Sequence, residues 1–162
     1  MSQAKKIINK VVEWFSISLI VVMVLLVLWQ VIARYVLNNP STFSEALTRY
    51  MFVWLVLVTS TYAFGTREHM CISVFKNKLK DKSKAVVNIL IEAITLIFAA
   101  GILVYGGTNI SSLQMVQLDS SLHIPMGVIY SIIPICGIVI IFYCICNILT
   151  EVDNLKKLRE AA

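Results

Sequence analysis

The stretch Ile124–Thr150 contains no Asp, Glu, Lys, Arg or His. As a helix it would run about 40 Å, enough to cross a hydrocarbon core about 30 Å thick. Three more runs share this character. Val11–Ala33 carries only Glu13 between Lys10 and Arg34, and the helix can extend to Leu37 before Asn38-Asn39-Pro40 stops it. Tyr50–Thr66 is uncharged and, at about 26 Å, lies at the short limit for a span. Ala85–Gln117 is overlong at about 50 Å, so it must tilt, project or break, with Gly106-Gly107 as the expected bend. In the fourth run Pro125 suits the first turn and Pro134 should kink the helix. Charged residues make up 14% of the chain, against about 25% in a soluble domain. The expected fold is therefore an all-α integral membrane protein, one domain over 1–162, with four transmembrane helices at about 11–37, 44–66, 85–117 and 124–150.

The second helix opens on Thr42-Phe43-Ser44-Glu45, which fits a capping box, and Glu45 and Arg49 are i,i+4 partners in the favourable order. Between the second and third runs lies a basic stretch, Arg67–Lys84. In it Ile72, Phe75 and Leu79 recur at helical spacing among Lys76, Lys78 and Lys80, which predicts a short amphipathic helix on the membrane surface. The N-terminal run is too long for a signal-peptide core and lacks a small-x-small cleavage site, so it reads as a retained helix.

Placement of charge gives orientation. Twelve of the fourteen Lys and Arg residues precede helix one, join helices two and three, or follow helix four. Only Arg34 and Arg49 fall on the other side. Cytoplasmic loops carry the Lys/Arg excess, so both termini are expected inside, with the loops Asn38–Ser44 and Leu118–His123 outside. The net charge of +5 then reads as orientation and anionic-lipid contact, not nucleic-acid binding.

No constellation of residues for enzyme chemistry emerges. His69 and His123 fall at opposite membrane ends and read as loop hydrogen-bonders. Cys71, Cys136, Cys144 and Cys146 suggest neither a disulfide framework nor a metal site, so no cofactor is expected. Glu13 reads as lying at headgroup depth near Lys10, and Glu92 as a structural pairing residue, although a carboxylate within a span is by default a functional candidate. Ala93, Ala100 and Gly107, spaced by seven, form a possible seam for close helix packing.

The stretch Phe43-Ser44-Glu45-Ala46-Leu47-Thr48-Arg49-Tyr50-Met51-Phe52-Val53-Trp54, with Arg67-Glu68-His69-Met70 at the helix end, resembles the small membrane subunit of tripartite ATP-independent periplasmic (TRAP) transporters, the DctQ/SiaQ-like family. Length, four spans and inside termini resemble it too. The sequence departs from it at Val58-Thr59-Ser60-Thr61, where small residues are usual, and at Glu68, where Gly is. The resemblance implies a bacterial inner-membrane subunit that is not an enzyme. It also implies a sodium-driven importer of organic acids such as sialic acid or C4-dicarboxylates. The partners would be a large membrane transport subunit and a periplasmic substrate-binding protein. Glu45 and Arg49 would order the outer end of helix two, Trp54, Arg67 and His69 would carry the signature, and helices one to three would face the large subunit.

Two other classes remain open. A stand-alone four-helix drug/proton exporter would use Glu13 as its coupling carboxylate, and Glu13→Gln with full activity would end that idea. For a haem- or quinone-binding redox anchor, the absence of a Soret band in the visible spectrum would remove the haem version.

Overall fold

The computed structural model describes residues 3–66 and 81–160. It is all-helical, with four helices long and apolar enough to cross a membrane. Helix α1 spans Gln3–Tyr35 and α2 Thr42–Thr66. The third span begins as α3, Asp81–Phe98, passes through a π-helical stretch at Ala99–Gly106 and ends as α4, Gly107–Leu113. The fourth comprises α5, Met126–Tyr130, and α6, Ile132–Glu160. The surface helix expected within Arg67–Lys84 lies outside the described residues apart from its last four, which open α3. Arg67 and His69 lie outside them as well.

The first two helices are joined by a turn that the sequence dictates. Leu37 N–H reaches Ile32 O and Asn39 N–H reaches Ala33 O. Asn38 takes a left-handed conformation (φ 49°), which Asn tolerates better than most residues, and Pro40 prevents the helix from resuming. The cap of α2 falls one residue before the expected box. Ser41, not Thr42, accepts: its Oγ receives the Ser44 N–H at 3.4 Å and its carbonyl the Glu45 N–H at 3.3 Å. Ser44 Oγ returns a bond to Ser41 O at 3.0 Å. The N3 position is therefore Ser44, and Glu45 is released to pair with Arg49.

The third span does not break at Gly106-Gly107. It widens instead, in a stretch that starts at Ala99 and closes where Gly107 N–H reaches Ile102 O, five residues back. Each such bond encloses one residue more than an α-helical bond, so the side-chain phase slips. Within this chain the three small residues of the expected seam are not buried together. Ala93 is half-buried, Ala100 is exposed and Gly107 is buried, while Ala99 becomes the small residue at the contact, 1% exposed.

In the fourth span Pro125 stands at the N-cap (ψ 128°), just before the first turn. The interruption caused by Pro134 appears at Ser131. Proline has no N–H for the carbonyl of residue i−4, here Tyr130, and its ring crowds that carbonyl. The helix yields next to the disturbed group.

Helix α6 is the central member. It packs on α2 at one side and on α3 with its π continuation at the other, and α1 lies along α2. One apolar cluster, Leu19, Val58, Ile132 and Cys136, joins α1, α2 and α6. A second, Ala99, Ile140 and Cys144, joins the third span to α6. The fourth span is 39% buried within the chain over its most apolar stretch, the first and third only 6% each. Most of the apolar surface of those two therefore faces lipid or another protein.

Candidate functional site

Two polar clusters stand at opposite ends of the helices, one at the loops and one at the chain termini. The loop-end cluster grows from α2. Gln30 on α1 donates from Nε2 to Ser44 O at 3.0 Å and to Thr48 Oγ1 at 2.7 Å, which pins the first two helices together. One turn on, Tyr50 donates its hydroxyl to Asp119 Oδ1 at 2.6 Å. Asp119 Oδ2 accepts the N–H groups of Ser121 at 3.0 Å and Leu122 at 2.7 Å. The phenol bond first, then the backbone N–H of Leu122, hold the Asp119 carboxyl below its ordinary value of 3.8. Another turn along α2, Trp54 donates Nε1–H to Ile129 O at 2.9 Å, beside the interruption at Ser131.

These contacts make the second loop a fixed shape. Its ends pair through a β-bridge between Leu118 and Pro125. Asp119 N–H bonds Ile124 O, and Met126 N–H bonds Gln117 O at 2.8 Å. His123, exposed, takes φ 56° to close the turn. Below the loop Gly127 lies against α4, where Ser111 Oγ donates to Gly127 O at 2.7 Å. A Cβ at Gly127 would overlap the Ser111 carbonyl oxygen. Glu45 and Arg49 pair at 3.4 Å on the outside of this end, with side chains 60% and 72% exposed. At that exposure the pair contributes little to stability and leaves both charges available to a partner.

In the terminal cluster Lys5, Asn147 and Glu151 are buried and Asn88 and Glu92 half-buried. Asn147, 2% exposed, accepts from Lys5 Nζ at Oδ1 and donates from Nδ2 to Glu92 Oε1, both at 2.8 Å. Asn88 Nδ2 donates to Glu151 Oε1 at 3.1 Å. Lys5 is 9% and Glu151 7% exposed. Burying such charges is costly unless they are hydrogen-bonded, and here two sets of bonds, Lys5–Asn147–Glu92 and Asn88–Glu151, tie α6 to α1 and α3. Tyr143, fully buried, packs against Gly65, where an added Cβ would come within 2.7 Å of its Cζ.

Sequence reasoning singled out Glu92 here but missed Asn88, Asn147 and Glu151, and counted Lys5 only as an orientation charge. A signal was present. Asn-x3-Glu occurs at 88–92 and again at 147–151, and each pair shares one helix face. Run antiparallel, the Asn of each pair meets the Glu of the other. Glu13 is exposed on the side of α1 and joins neither cluster. Among the described residues no group of three or more His, Cys, Asp or Glu could hold a metal ion.

Residues 23–154 match the family described as "Tripartite ATP-independent periplasmic transporters, DctQ component". The chain is 27% identical over 158 residues to the sialic acid TRAP transporter small permease protein SiaQ of Vibrio cholerae, covering 98% of this chain and 88% of that one. It is 28% identical over 133 residues to a putative TRAP transporter small permease protein of Haemophilus influenzae, covering 82% of each. Over 137 residues it is also 22% identical to the sialic acid TRAP transporter permease protein SiaT of Haemophilus influenzae, of which the match covers only 22%.

Proposed function

The chain belongs to the DctQ family, the small permease component of TRAP transporters in the bacterial inner membrane, and from that premise we propose that it is a static brace for a larger transport subunit. As a family member it is a multi-pass transporter component, not an enzyme. The larger subunit carries the solute and moves, a periplasmic binding protein delivers the solute, and this chain holds the first and helps dock the second. The expected solute is an organic acid of the sialic acid or C4-dicarboxylate class, with sodium as the coupling ion. Sialic acid is named for the Vibrio cholerae relative, and this supports the solute class.

The observation that carries the brace is the imbalance of burial. The first and third spans bury 6% of their most apolar stretches within the chain, against 39% for the fourth. Two long apolar faces are thus presented outward from a core tied at both ends by hydrogen-bonded side chains. In lipid, such faces associate through close packing rather than hydrophobicity. The match to SiaT adds support, since most of that protein lies beyond the portion similar to this chain. There, a small-subunit-like portion and a much larger remainder are one polypeptide. The binding protein would meet the loop end, where Asp119 and its donors fix the second loop and Glu45 and Arg49 stand exposed. The positive-inside distribution supports an outward-facing loop end and cytoplasmic termini.

Co-expression tests the brace. The chain should co-purify in detergent with the large permease of its own system, and solute uptake should need both. Full uptake with the large permease and binding protein alone would sink the proposal.

A further inference from the structure

The loop end carries a groove of about 360 Å³ between α1 and the start of α2. Val27, Gln30, Val31 and Arg34 line its α1 side, and Ser41 and Glu45 line the other. Spacings of three and four put the α1 residues on one helix face. That face starts apolar and ends on a cation about 10 Å along the axis, since Arg34 is seven residues beyond Val27. The two bonds from Gln30 to α2 fix the separation of the walls. Among the described residues no carboxylate pairs with Arg34. Across the groove Glu45 is shared only loosely, at 3.4 Å, with Arg49.

Two valines below a guanidinium that pairs with no carboxylate among the described residues, at the end of a membrane span, match the upper part of a phospholipid. Guanidinium binds phosphate through directed, charge-assisted hydrogen bonds. The carboxylate across the groove then selects among headgroups. It would repel a purely anionic lipid, and a quaternary ammonium offers it no N–H. A primary ammonium supplies both charge and donors.

We propose that this groove is a binding site for one phospholipid with a primary-amine headgroup, of which phosphatidylethanolamine is the simplest. The phosphate lies on Arg34, the ammonium turns toward Glu45, and an acyl chain follows Val31 and Val27. The site requires that α1 cross the bilayer. It depends neither on which end is outside nor on the transport reading.

Native mass spectrometry of the full chain, purified in mild detergent, reads the occupancy. The probes are phosphatidylethanolamine, phosphatidylcholine and phosphatidylglycerol in equal amounts. The wild-type chain should retain one phosphatidylethanolamine in preference to the other two. Arg34→Gln should lower retention of all three about tenfold, the loss of a charge-assisted hydrogen bond, and Arg34→Lys should restore much of it. Glu45→Gln should abolish the preference over phosphatidylglycerol while phosphate binding persists. Equal retention of the three lipids by wild type, or wild-type retention by Arg34→Gln, overturns the site. So does a result with the large permease co-expressed in which lipid is absent and Arg34→Gln weakens co-purification, because a partner helix would then fill the groove.

Discussion

Asp119 organises the loop end through three donors: a phenol from α2 and two N–H groups of its own turn. Because its carboxyl titrates below the ordinary value, the stabilisation it gives is fully present above that value and is lost as pH falls through the lower, folded one. Amide exchange at Ser121 and Leu122 should therefore be slower in wild type than in Asp119→Asn at neutral pH. The difference should disappear only below about pH 4. Equal exchange at neutral pH would show that the carboxylate does not hold the turn. At this scale the sequence was readable where residues act within one helix, as Glu45 and Arg49 do. It was opaque where pairing runs between helices. Tyr50 and Asp119 are 69 positions apart, and Lys5 and Asn147 are 142 apart, so no local pattern joins them. The doubled Asn-x3-Glu motif was legible in principle, but it acquires meaning only once α3 and α6 are known to run antiparallel.

Elements were legible by type more than by internal regularity. Four apolar runs gave four long helices, with ends set by Asn38 and Pro40 at one loop and Pro125 at the other. What hydropathy could not register is helix winding. Ala99–Gly106 is apolar throughout whether it is wound as α or π, so the winding leaves no trace in composition. Pro134 did announce its interruption, although the break falls at Ser131 because the affected carbonyl lies one turn earlier. α4 and α5 approach closely at Gly127, where a Cβ would meet the Ser111 carbonyl oxygen. Gly127→Ala should lower stability by about 1–3 kcal/mol, as overpacking does, through the overlap with Ser111 O. The midpoint of thermal unfolding in detergent measures it. An unchanged midpoint would mean that the two backbones are not in close contact.

For the whole molecule, the sequence gives an orientation by charge count, and the helix packing gives a shape without a sign. Labelling supplies the sign. In a cysteine-free background, a cysteine at exposed Ser120 should react with a membrane-impermeant maleimide in intact spheroplasts. One at Gln3, also exposed, should react only after lysis. The reverse pattern would invert the assignment and move the proposed docking end into the cytoplasm. The pairing order of the helices has a mechanical consequence. The terminal cluster ties α6 to α1 and α3, and at the other end Tyr50 and Trp54 fasten α2 to the fourth span and its preceding loop. A beam clamped at both ends transmits load without flexing much between its clamps. If a neighbour slides along its outer faces, the strain of each stroke would pass into those two clamps rather than into the apolar middle. Polar side chains, few as they are here, would then serve as rivets.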